Sequence, residues 1–299
     1  LTIEDASSSL SAVAWLPPEG HRVVGAEGAT AATPQAKEEV WHDYGKALWH
    51  VGKGAEAELP ESFFRDPRFA ALGLRAVLAK DEAAKLLAEN CGAAGEHSEH
   101  SHGVHDYHRW RLCCGVPEGP TDLKVDSAMP LLCNLDLLNF ISFSKGCYVG
   151  QELTARTKYR GSVRKRIFTV LAAGPNPQAY LDGLNLAPAD PVPLSALSGA
   201  LFSSGSAAAD LPGEEGTDSD EADRVVRMRP EGQEEWKSDG ILHSAMERIG
   251  LATLRCDQPL NHAESFRTTT PISPGTLLST VDGTPLAFRA PPYAFVEDK

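Results

Sequence analysis

Apolar residues in this chain come only in short, interrupted runs, and that limits what it can build. The stretch from Ala70 to Leu78, among the longest, is broken by Gly73 and Arg75. No stretch approaches the roughly 18 uncharged apolar residues of a spanning helix, so a soluble protein without a membrane partner is expected. A length of 299 residues is enough to bury a core and to divide into two units. The chain starts at Leu1, inside a segment that reads as a strand (Leu1-Thr2-Ile3), so it is expected to be a fragment whose targeting peptide is not visible.

Net charge is −13, which disfavours a general nucleic-acid binder. The bases gather once: Lys145 to Arg166 contains seven Lys or Arg and a single acid, Glu152. The six cysteines stand at 91, 113, 114, 133, 147 and 256, and none form a C-x-x-C pair. A zinc site or a complete cluster cage therefore has no support, and a reducing compartment suits such scattered thiols.

A hairpin is expected over 10–26, around the Pro17-Pro-Glu-Gly20 turn, with a loop over 27–40. A turn at Asp66 leads to a strand ending near Leu78. Ala79 to Asn90 reads as a helix with Asp81 and Glu82 in its first turn. The tract His97 to His108, with Glu96, Glu99 and Asp106, is rich in potential metal ligands, but its Gly/Ser flanks favour a solvated loop. A helix is expected from Val104 to Cys114 and a second from Leu131 to Phe143. Beyond Arg166, short β-type pieces separated by Pro/Gly turns predict a small barrel. It is interrupted at about 199–235, where Asp210 to Asp223 holds seven acids and no base, the composition of a disordered insertion.

The chemistry concentrates in Lys145-Gly-Cys-Tyr-Val-Gly-Gln-Glu152. Gly146 and Gly150 permit a tight backbone path around a thiol. Lys145 and Arg156 are cations that favour a thiolate at Cys147. Gln151 and Glu152 offer hydrogen-bonding groups that order the turn. A buried turn with an inert cysteine is the structural alternative. A Cys–His protease needs a base at the thiol, and no spacing of His42, His50 or His108 provides one.

This octapeptide, continued by Leu153-Thr-Ala-Arg-Thr157 and Gly161-x-Val-Arg-Lys-Arg166, resembles the signature of the YgfZ-type folate-binding, aminomethyltransferase-like family. It is most similar to the branch of mitochondrial iron–sulfur cluster assembly factors. Arg111 with Gly115-Val-Pro-Glu-Gly119, then Pro130-Leu131, Asn134-Leu-Asp136, Asn139 and Ser142-Phe143, resemble further blocks of that family. Leu132 and Phe140 depart from its pattern. The resemblance implies an α+β fold: residues 1–166 as the second half of a folate-binding domain, and 167–299 as a C-terminal β-barrel. It implies Cys147 as the reactive or cluster-contacting residue. Lys145, Gly146, Tyr148, Gly150, Gln151, Glu152, Arg156, Arg111 and Arg164 would meet folate or a partner.

The function so implied is folate-dependent assistance in assembling [4Fe-4S] clusters in the mitochondrial matrix. Tetrahydrofolate is the implied cofactor, a [4Fe-4S] cluster a transient one, and A-type scaffold proteins and recipient enzymes the partners. Whether such a protein catalyses a reaction stays open. Two alternatives accompany this reading. Glycine cleavage by an aminomethyltransferase is weakened because Cys113 stands where that branch carries a glutamate. A tRNA-modification role would use Tyr148, Tyr159 and Phe168 as stacking platforms among the bases.

Overall fold

The computed structural model describes residues 10–15, 62–90, 104–172, 175–192 and 224–296. The expected strand at Leu1–Ile3, the second hairpin strand, the loop 27–40, the histidines at 97, 100 and 102 and the acidic run 210–223 lie outside them. The chain forms two compact units, Leu1–Tyr107 and His108–Lys299. That division falls well before the boundary expected at 166. Among the described residues no helix is long and apolar enough to cross a membrane.

In the first unit, β1 (Leu10–Trp15), β2 (Phe63–Arg65) and β3 (Leu74–Ala79) make an antiparallel sheet with β3 in the centre. β1 pairs with β3 from Leu10↔Ala79 to Trp15↔Leu74. Strand β3 alternates as a half-buried strand must: Leu74, Ala76 and Leu78 point inward and Val77 outward. The turn before it is fastened by Asp66, whose buried carboxylate accepts from Arg68 Nη2 at 2.7 Å and Arg75 Nε at 2.5 Å. Helix α1 (Lys80–Asn90) follows, with Asp81 and Glu82 in its first turn, as the sequence predicts.

In the second unit, six antiparallel strands close a barrel: β4 (Lys165–Leu171), β7 (Ile249–Arg255), β6 (Lys237–Met246), β5 (Val225–Arg229), β8 (Leu277–Ser279) and β9 (Pro285–Arg289), in that spatial order. Closure leaves no edge strand to cap. The fold is thus mixed helix and sheet, with the expected barrel. Strand β5 lies within the stretch read as an insertion over 199–235, because Val225-Val-Arg-Met-Arg229 alternates about the barrel wall with Val226 and Met228 inside.

Helix α2 (Val104–Cys113) delivers Leu112 and Cys113 to the core formed by Ile167, Leu171, Ile249, Leu251 and Ala287. It ends at Gly115, where φ is +72°, and an added Cβ would sit 3.1 Å from Thr169 Oγ1 and 3.3 Å from Pro291 Cβ. A short helical turn, α3 (Gly119–Asp122), comes next. The helix expected over 131–143 is absent. That segment is a succession of turns, because Asn134 and Asn139 both adopt φ of +60° and break any helical path. Helix α4 (Gln151–Arg160) precedes the barrel, α5 (Pro177–Gly183) follows β4, and α6 (Ala263–Thr268) follows β7.

Candidate functional site

The motif residues divide into an exposed loop and a helix. Gly150 takes φ of +85° at the N-cap of α4, so it supplies the left-handed residue that the turn needs. Gly146 has no such conformation and is exposed. Cys147 is a free, exposed thiol, whereas Cys113, Cys114, Cys133 and Cys256 are buried. Val149 beside it is fully exposed, as are most of Leu153 and Tyr159. Lys145 Nζ stands 5.1 Å from the centre of the Tyr148 ring, a cation–π contact inside the loop.

The basic run does not act as one surface. Arg156 is paired with Glu152 one turn earlier on α4, so both point to solvent together. Gln151 is half-buried, and its backbone N–H donates to Tyr148 O at 3.2 Å. Arg164 is exposed, reaching Ser162 Oγ at 3.2 Å and the Asp257 carbonyl at 3.4 Å. Lys158 turns back over the Phe143 ring at 4.2 Å and lies 3.7 Å from Asp136. Arg166 is fully buried.

Arg111 is held apart from this loop. Its Nη1 donates to Asp122 Oδ2 at 2.7 Å and to Val116 O at 3.1 Å, its Nη2 to Ser244 Oγ at 3.1 Å and its Nε to His108 Nδ1 at 3.0 Å. All three nitrogens are engaged within the fold, so Arg111 joins the helix end to the barrel. Phe168, expected as a stacking platform, is wholly buried against Phe266 and Phe288.

A buried polar network instead links the motif blocks. Asn134 Nδ2 donates to Ile167 O at 2.8 Å and to Tyr293 Oη at 3.1 Å, and Tyr293 in turn donates to Gly115 O at 2.8 Å. Arg166 donates to Asp136, Leu131 O and Leu260 O. Many signature residues therefore serve the scaffold. Sequence reasoning missed Asp122, Ser244 and Asn261 as partners, since each meets its contacts across more than a hundred positions or from an unremarkable loop.

Burial pushes the Cys133 thiol up to about 11 and the Cys256 thiol up to about 12, leaving both inert as nucleophiles near neutral pH. Among the described residues there is no group of three or more His, Cys, Asp or Glu able to hold a metal ion. Among the described cysteines Cys147 alone is exposed, in the loop that leads into α4.

No family model matches the chain. It is similar to proteins named as mitochondrial iron–sulfur cluster assembly factors. Against IBA57 of Mus musculus it is 45% identical over 113 residues, 38% of this chain and 29% of that protein. The Homo sapiens protein is 46% identical over 113 residues, with the same shares. The mitochondrial IBA57 homologue of Mycosarcoma maydis is 32% identical over 221 residues, 73% of this chain and 47% of that protein. The chain thus spans less than half the length of these relatives.

Proposed function

We propose that this chain serves iron–sulfur cluster assembly in mitochondria, as an accessory factor that presents Cys147 to a cluster held chiefly by another protein. The observation that carries the reading is the accessible thiol of Cys147, in a chain similar to proteins named as mitochondrial iron–sulfur cluster assembly factors. A four-iron cluster is usually caged by four thiolates. A single accessible cysteine among those described therefore favours shared ligation, with the cluster as cargo and the remaining ligands on a scaffold or recipient protein. Exposed Val149 and Leu153 supply apolar area for such a partner, and Lys145, Arg160 and Arg164 favour an acidic one. A-type scaffold proteins and recipient [4Fe-4S] enzymes are the partners proposed.

Folate dependence and an aminomethyltransferase-like first domain form the second part of the proposal. The side chains described fit it only in part. Lys145 and Arg164 suit an anionic tail. Arg111 is committed to Asp122, and the buried Cys113 offers no carboxylate for a pterin's N–H donors. No step is assigned to folate on this basis.

The test is complementation of cells lacking the assembly factor, with full-length wild type and Cys147→Ser compared side by side. Restored aconitase and lipoate synthase activity with wild type, and loss with Cys147→Ser, is the expected result. Equal rescue by both removes the thiol from the mechanism. Titration of the purified protein with tetrahydrofolate tests the cofactor separately, and glycine-cleavage activity with the lipoyl carrier would replace the reading.

A further inference from the structure

Helix α4 carries the thiol loop at its N-terminus, yet it buries none of its own residues. Apolar packing of one face, the usual source of helix stability in proteins, is slight here, the Tyr159 ring meeting that of Phe143 edge-on at 5.8 Å. Its N-cap is Gly150, which has no side chain to satisfy the first N–H groups. The attachment is at the other end.

There, Asn261, in the loop between β7 and α6, reaches the last turn. Its Nδ2 lies 2.8 Å from Lys158 O, 2.9 Å from Gly161 O and 3.3 Å from Thr157 O. Its Oδ1 accepts the Val163 N–H at 3.0 Å. Carbonyls only accept and a backbone N–H only donates, so the surroundings admit one orientation of the amide. The terminal carbonyls of a helix lack intrahelical partners, and the two amide protons of this one side chain serve Lys158 O and Gly161 O, with Thr157 O, which also accepts the Gly161 N–H at 3.1 Å, a longer third contact. Asn261 is itself fastened to the barrel, because the adjacent Leu260 donates its N–H to Val163 O at 2.8 Å and accepts at its carbonyl from buried Arg166. The neighbouring His262 ring lies 6.3 Å from that of Tyr159 on α4.

We infer that Asn261 is a positioning residue: by clamping the C-terminal end of α4 to the barrel, it sets the pose of the helix and of the Cys147 loop. This deepens the proposed function, since the value of that pose rests on Cys147 being the acting group, although the clamp itself does not.

Asn261→Asp is the discriminating variant. It keeps an acceptor for Val163 N–H but turns a carboxylate oxygen toward three carbonyls, so it releases α4 selectively. Asn261→Ser retains one donor and should fall between. Hydrogen exchange by mass spectrometry on the full chain should show roughly tenfold loss of protection over 154–161 in Asn261→Asp, with β4 and β7 unchanged. Site-resolved alkylation of Cys147 should accelerate at least about threefold, because a released loop samples more accessible poses. Rescue of cells should fall as it does for Cys147→Ser.

Unchanged protection and alkylation overturn the inference. So does a uniform loss of protection across barrel and helix, which would make Asn261 a general stability residue. Local release and faster alkylation with undiminished rescue uphold the clamp and count instead against the thiol-based function.

Discussion

Arg166 and Asp136 form a two-point ion pair with both side chains fully buried, Nη1 to Oδ1 at 2.6 Å and Nη2 to Oδ2 at 3.1 Å. Arg166 also donates to the Leu131 and Leu260 carbonyls. The pair therefore joins the turn-rich segment before the thiol loop, the first barrel strand and the loop after β7. Removing Arg166 leaves the buried Asp136 carboxylate with only Lys158 Nζ, 3.7 Å away, as a counter-charge, which costs about 3 kcal/mol. Arg166→Met is expected to lower the denaturant midpoint by that equivalent. Arg166→Lys should recover only part of it, since an ammonium cannot reproduce the planar fork.

Arg111 and Arg156 should respond differently to truncation, although both stand in motif blocks. Arg111→Ala leaves Asp122 buried without its cation and should destabilise by about 3 kcal/mol. Arg156→Ala removes only an exposed pair with Glu152 on one helix face, worth less than about 0.5 kcal/mol. Paired urea titrations check this. Equal losses for both variants would contradict the burial pattern.

Stability should fall on mild acidification through His243. Burial lowers its pKa below the ordinary 6.5, and Lys124 and Arg224 add to this while Asp122 opposes it. Between the folded and unfolded values the unfolded chain holds more protons. Stability is therefore full above about 6.5 and is lost as pH falls toward the folded value. His243→Gln, which can still bond Thr253 Oγ1, should flatten the profile between pH 7.5 and 5.5. A wild-type melting temperature that does not change over that range would refute the assignment.

Thiol chemistry should single out Cys147 among the described cysteines. With iodoacetamide near pH 8 it should react at least about a hundredfold faster than Cys133 and Cys256, whose thiolates burial suppresses. Peptide mapping of the labelled native protein gives the ratio. Labelling of Cys256 at a comparable rate would mean that the loop after β7 opens readily.

Gly115→Ala should destabilise by about 1–3 kcal/mol. An L-residue is strained at φ of +72°, and its Cβ would press on Thr169 Oγ1 and Pro291 Cβ. Thermal melts of the variant, with Gly119→Ala as a comparison that meets strain but nothing within 4 Å, separate crowding from backbone strain.

Local chemistry determined much of this protein. The strands β3 and β4, the acids opening α1, the barrel beyond Arg166 and the thiol motif at Lys145–Glu152 could all be read from neighbouring residues, because periodicity and turn chemistry act over a few positions. The sequence predicts a helix over 131–143 where the structure has turns, because Asn134 adopts its left-handed backbone while its amide meets Ile167 and Tyr293, contacts that are remote in sequence. Only the tertiary structure decided which bases stay exposed. Lys145, Arg156, Arg164, Arg166 and Arg111 carry the same charge in sequence, but Arg111 and Arg166 are buried by carboxylates that only folding brings to them. The same holds for Asn261: an ordinary loop residue becomes the cap of the thiol-bearing helix because a closed barrel returns the chain to that place.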